Sequence, residues 1–141
     1  MTVSESLIKW LNGFNPAEYW SMKRINTDMQ AAEVDSYSLV KEPVQNVKAY
    51  MSGKKVYTSH YTIQARLSSN TNTDRVDNSG FGEALEDWVR EKNSKKEFPA
   101  LEDAAVQDIH ITTPFCVGQT AEHNSVYQMT IAIKYEKENK T

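Results

Sequence analysis

The sequence predicts an α+β fold in a single domain: one mainly antiparallel sheet with two amphipathic helices packed on one of its faces. Three observations carry that prediction. The chain has 141 residues with 39% hydrophobic, 25% charged and 10% aromatic content, within the usual range for one globular domain. Two segments repeat apolar residues at the helical period, and several others alternate at the strand period. Their order is helix, strands, helix, strands, which segregates helices from an antiparallel sheet.

The first helix opens on Thr2-Val3-Ser4-Glu5, a capping box in which Thr2 accepts from the Glu5 amide and Glu5 reaches back. Val3, Leu7, Ile8, Leu11 and Phe14 form its apolar stripe, and Gly13 with Asn15-Pro16 stops it. Residues 17–35 hold either a first strand or an irregular crossing. A strand over Tyr37–Val40 should end at Pro43, which cannot donate to a ladder and so marks an edge or a break. Val44–Met51, a turn at Ser52-Gly53-Lys54 and Lys55–Leu67 then read as a hairpin. In its second arm Tyr57, Tyr61, Ile63, Ala65 and Leu67 share one face, opposite Thr58, His60, Thr62, Gln64 and Arg66. One face should be buried and the other wet or paired.

The polar run Ser68–Asp74 is expected as a loop between the sheet and the second helix. That helix carries Phe81, Ala84, Leu85, Trp88 and Val89 on one stripe and ends near Asn93. Gly80 and Gly82 either weaken its first turn or mark a bend or a close packing contact. Val106–Thr112 should form a strand stopped by Pro114, with Gln107, Ile109 and Ile111 on one face against Val106, Asp108 and His110. The last strand has Tyr127, Met129, Ile131, Ile133 and Tyr135 on one face, and residues 136–141 are expected as a frayed tail.

The composition argues against several functions. Sixteen basic and nineteen acidic residues, interspersed, leave a net charge of -3 with no basic stripe for nucleic acid. Charges interrupt every apolar run near the start, so neither a secretory signal nor a membrane span is expected there. A single cysteine, Cys116, offers no internal disulfide and no thiolate-rich metal site, and reads best as a small buried hydrophobe. His60, His110 and His123 lack the spacing of a helical metal pair, although His60 and His110 would approach if their strands were neighbours. No cofactor, metal site or catalytic set is expected. The alternative is a small enzyme with a pocket near Cys116, His110 and His123.

Aromatic residues outside the main stripes, namely Trp10, Tyr19, Trp20, Tyr50 and Tyr57, either complete the core or serve an interface. The interface expected from the sequence comprises Tyr50, Lys54, Lys55 and Tyr57 on the hairpin, and Asn70, Asn72, Asp74 and Arg75 in the Ser68–Asp77 loop. Lys48 adds charge near the hairpin tip. Unpaired edge strands would supply further contacts between subunits.

Across nearly its whole length the chain resembles small structural proteins of long-tailed bacteriophages and prophages of Gram-positive bacteria, labelled minor capsid or minor tail proteins. The likeness rests on Glu5-Ser6-Leu7-Ile8-Lys9-Trp10-Leu11, Lys41-Glu42-Pro43-Val44-Gln45-Asn46-Val47-Lys48 and Asn70-Thr71-Asn72-Thr73-Asp74. It extends to Leu85-Glu86-Asp87-Trp88, Val106-Gln107-Asp108-Ile109, Thr112-Thr113-Pro114-Phe115 and Val126-Tyr127-Gln128-Met129-Thr130-Ile131. Length and element order are also similar to those of tail-terminator and neck-completion proteins. The resemblance implies a non-enzymatic homo-oligomer, a hexameric ring at the head-tail junction of the virion, made in the host cytoplasm. Its partners would be the tail tube and the head connector. A monomeric adaptor using the exposed aromatics is the other binding-class alternative.

Overall fold

The computed structural model describes residues 2–14, 25–27, 36–68, 72–102, 104–120 and 124–138. Along the chain these form α1 (Val3–Leu11), β1 (Ile25–Thr27), β2 (Ser36–Ala49), β3 (Lys54–Ser68), α2 (Asn72–Ser94), β4 (Ala105–Thr120) and β5 (Asn124–Glu138). The five strands make one sheet in the order β1-β2-β3-β5-β4. β1 pairs with β2 in parallel and every other pairing is antiparallel, so this is the expected α+β arrangement. Of residues 17–35, only the short β1 falls among those described.

One face of the sheet carries the core. Register places Leu39 beside Ile63, Ile63 beside Met129, Tyr61 beside Ile131 and Ile109 beside Ile133, which builds continuous apolar rows across four strands. Leu7 and Leu11 of α1, with Phe81, Leu85 and Val89 of α2, close over those rows and are fully buried. The five alternate β5 residues expected on one face, Tyr127 to Tyr135, are all buried there. At the start of α1 the Thr2 hydroxyl accepts from the Glu5 amide at 3.1 Å, and it also donates to the Glu5 carboxylate at 3.3 Å. The opposite face is paired more than wet. Thr62, Val126 and Ala132 are buried on it, and the Thr62 hydroxyl bonds both the Glu42 carboxylate and the Thr130 hydroxyl.

Several boundaries differ from expectation, each for a physical reason. β2 runs through Pro43. From Lys41 to Gln45 it advances four residues while β3 advances two, so Pro43 sits in a bulge where no ladder donor is missed. β4 likewise runs through Pro114 to Thr120, with register shifts after Val106, Ile111, Thr113 and Val117. Because the first shift bulges Gln107, Val106 opposes Tyr135 while Ile109 opposes Ile133, so both lie on the core side and not on opposite faces. Two α2 side chains serve amides of this irregular strand: Asn93 Oδ1 accepts from Ile109 N at 3.0 Å, and Glu86 Oε1 from Phe115 N at 2.7 Å.

α2 begins at Asn72, so much of the expected Ser68–Asp77 loop is helix, and Gly80 and Gly82 lie well inside it, not in its first turn. Gly82 marks a close packing contact. A Cβ there would lie 2.1 Å from Cδ1 of Phe115. The Phe115 ring is itself held by stacking on Tyr127 at 5.3 Å and by an edge contact with Phe81 at 5.7 Å. Of the expected frayed tail, residues 136–138 instead continue β5, with Glu138 opposite Lys54, and residues 139–141 lie outside the described residues.

Candidate assembly interface

The β2–β3 hairpin ends in the four-residue turn Tyr50-Met51-Ser52-Gly53. Gly53 N donates to Tyr50 O at 3.0 Å and Tyr50 N to Lys54 O at 2.9 Å, which closes the turn. Gly53 has φ 91°, a left-handed conformation that glycine takes without a Cβ penalty. This geometry puts apolar side chains into solvent. Met51 is fully exposed at the apex, and Val47 and Tyr50 are 51% and 46% exposed beside it.

Pairing with the far end of β5 adds charge that is distant in sequence. Lys55 lies opposite Lys137, and Thr58 opposite Lys134. Lys54 pairs with Glu136 at 3.2 Å, Lys48 lies 5.4 Å above the Tyr50 ring, and Lys137 lies over both Tyr57 and Tyr135. Tyr57 and Tyr135 stack at 5.4 Å with an interplanar angle of 14°. Lys48, Lys54, Lys55, Lys134 and Lys137 thus gather at one end of the sheet in a chain of net charge -3. An exposed apolar tip inside a basic collar suits an acidic protein surface with an apolar centre.

Among the described residues of the expected set, Tyr50 is the exposed aromatic. Tyr57 is half-buried in its stack, and Trp10 leans on Trp88 at 4.6 Å while its indole donates to Glu97 O at 2.8 Å. Both therefore help complete the core. Lys54 and Lys55 begin β3, whereas Asn72, Asp74 and Arg75 belong to the first turns of α2, beyond its other end. From Lys54 to Ser68, the last residue of β3, the strand rises about 46 Å at ~3.3 Å per residue. The structure therefore does not join them in one patch. Asn70, Tyr19, Trp20 and His123 lie outside the described residues. Val47, Met51, Lys134 and Lys137 join the hairpin set. The β3–β5 register that recruits the last two connects residues about eighty positions apart, and no local pattern announces it.

The outer strands add a second feature. Among the described residues, β2 beyond Leu39 and all of β4 have one side without a strand partner. Bulges and the prolines Pro43 and Pro114 interrupt both edges, the pattern by which sheet proteins restrict indiscriminate strand addition.

The catalytic alternative gets a different geometry. Cys116 is exposed, not a buried hydrophobe, because it lies on the outer face of the edge strand opposite Gln128. His110 lies opposite Ala132, four β5 residues away, or about 13 Å at ~3.3 Å per residue, beyond hydrogen-bond reach. Its Nδ1 is instead 2.7 Å from the Asp108 carboxylate. His60 and His110 both flank Ala132 on the same face, but β5 runs between their strands. Among the described residues no group of three or more histidine, cysteine and acidic side chains is placed to hold a metal. No described helix is long and apolar enough to cross a membrane. In comparisons with known proteins, no family model matches the chain and no curated protein matches it.

Proposed function

We propose that the chain is a non-enzymatic structural subunit of a bacteriophage or prophage particle, which associates with copies of itself in a ring at the head-tail junction. The observation that supports self-association is the hairpin end. Met51, Tyr50 and Val47 present apolar area at the tip of a hairpin braced by β5, inside a collar of lysines. Such a projection costs solubility when unpartnered and gains a rationale when a neighbouring subunit covers it. The phage context is supported by the sequence blocks described above, and the tail tube and head connector follow from that resemblance as partners. A head-to-tail contact of the hairpin on a different surface of the next subunit closes into a ring when its rotation closes. The lysine collar makes that contact dependent on salt.

Negative-stain electron microscopy of the purified chain at high protein concentration tests this reading. Closed rings of uniform diameter with a central channel are expected. Isolated small particles at every concentration would overturn it in favour of a monomeric adaptor, and open filaments would overturn the closed ring.

A further inference from the structure

Among the described residues, the exposed large apolar side chains are Val47, Tyr50 and Met51 at the hairpin end and Val117, which stands apart from them on β4. Val117 is 49% exposed, close to the 51% of Val47 on β2. β2 and β4 flank the central pair β3 and β5 on opposite sides. Val47 lies opposite Tyr57, which lies opposite Tyr135, whereas Val117 lies opposite Tyr127. Both valines therefore project on the core side, eight β5 residues apart, or about 26 Å at ~3.3 Å per residue. Within one chain they cannot meet.

Each valine sits where a strand edge turns its main chain outward. Tyr50 N donates to Lys54 O, so antiparallel alternation points the N–H and C=O of Gln45, Val47 and Ala49 away from β3. On β4 the Ile109 and Phe115 amides face α2, where Asn93 and Glu86 accept from them. Val117, two residues on, faces the same way and lies past both caps. Register shifts between Lys41 and Gln45 on β2 and between Val117 and Gln119 on β4 confine any added pairing to one short register.

The charges around the two edges are complementary. Lys55 and Lys137 lie directly opposite each other on the core side of the hairpin end, an unfavourable like-charge pair, while Glu136 bonds Lys54 on the other face. Beside Val117, the part of α2 that abuts Phe115 through Gly82 carries Glu83, Glu86 and Asp87, with Arg90 against the last two. An acidic helix flank thus borders one valine and a basic pair borders the other.

We propose that Val47 of one copy pairs with Val117 of the next, joining β2 and β4 of neighbouring subunits antiparallel in a sheet continuous across the contact. The inference rests on the ring reading and names the surface that the hairpin end meets. The two valines exchange main-chain hydrogen bonds and cover each other on one face, while the α2 carboxylates of the second copy approach Lys55 and Lys137 of the first. Because the two surfaces differ, the contact repeats head to tail. A closed ring takes up the stagger along the strands by tilting them against its axis, as closed barrels do.

In this register Lys48 of one copy lies opposite Cys116 of the next on the outer face, a non-hydrogen-bonded pair with Cα atoms about 4.5 Å apart and within disulfide range. Disulfide cross-linking tests the proposal, since Cys116 is the one cysteine of the chain. Lys48→Cys oxidised in air with copper phenanthroline should give a ladder of linked chains on non-reducing electrophoresis, which reductant collapses. Adding Cys116→Ser should abolish the ladder, and Lys134→Cys, on the same face but inside the sheet, should not produce one. Val117→Lys, folded by circular dichroism, should stay at the mass of one chain in light scattering. Absence of the ladder from Lys48→Cys, an equal ladder from Lys134→Cys, or assembly of Val117→Lys as in the wild type overturns the proposal. A wild type that assembles alongside any of these results leaves the ring reading standing, whereas a monomeric wild type overturns both.

Discussion

Replacing Gly82 with alanine sets two effects of opposite sign against each other. In the interior of α2, alanine is favoured over glycine by about 0.8–1 kcal/mol. Against this, the new Cβ would meet Phe115 at 2.1 Å from Cδ1, 2.6 Å from Cγ and 2.8 Å from Cε1. A clash that includes Cγ is not relieved by turning the ring about its own axis, so the whole side chain must move. Overpacking of this kind costs about 1–3 kcal/mol, and displacing the ring also loosens its contacts with Tyr127 and Phe81, worth about 0.5–1.5 kcal/mol each. The clash should win, and Gly82→Ala should destabilise the wild-type chain by about 1–3 kcal/mol. In a Phe115→Ala background the obstacle is gone, and the same substitution should stabilise by about 1 kcal/mol. Guanidinium unfolding of the four proteins in this double-mutant cycle measures both signs and a coupling of roughly 2–4 kcal/mol. Gly82→Ala acting with the same sign and size in both backgrounds would refute the claim that Phe115 is what demands glycine there.

Other expectations follow from the same packing and charge arguments. Gly53→Ala forces a Cβ into the left-handed region at φ 91° and should cost about 1–2 kcal/mol in denaturant unfolding, with Gly53→Asn milder. Ile131, fully buried in the central rows of the core, should lose about 2–5 kcal/mol on replacement by alanine, seen as a lowered midpoint with an unchanged slope. A hydrogen bond from Lys92, with that ammonium's charge, holds the Glu97 carboxyl below the ordinary carboxylate range. A depressed folded-state value stabilises above the unfolded-state value and is lost as pH falls through the folded one. Glu97→Gln should therefore lower stability slightly at neutral pH and converge with the wild type as pH falls below about 4.5, the ordinary glutamate value, which flattens the acid limb of the profile.

How much of this was legible in the sequence depends on how local each feature is. The β5 alternation, the α2 stripe and the Thr2 cap depend on neighbours a few residues apart, and they appear in the structure as read. The prolines misled because a missing donor reads as a stop, whereas Pro43 and Pro114 fall in bulges of outer strands where no donor is needed. The bulge at Gln107 reversed the apparent face of Val106, since strict alternation has no way to register an extra residue. Asn72, Thr73 and Asp74 have the composition of a loop, yet they open α2. At the hairpin end, Ser52-Gly53 announced the turn, and Lys48, Lys54 and Lys55 lay beside it in the chain. Lys134 and Lys137 joined only through the β3–β5 register.

The central claim is that the chain assembles with itself through the hairpin end, and solution mass tests it most directly. Light scattering after size exclusion, across protein concentration and salt, should give a closed species near six times the 16.1 kDa chain, about 97 kDa, that shrinks as salt rises. A Tyr50→Glu, Met51→Glu double variant, folded by circular dichroism, should stay at the mass of one chain. A monomeric wild-type chain under every condition, or a double variant that assembles as the wild type does, would contradict the account.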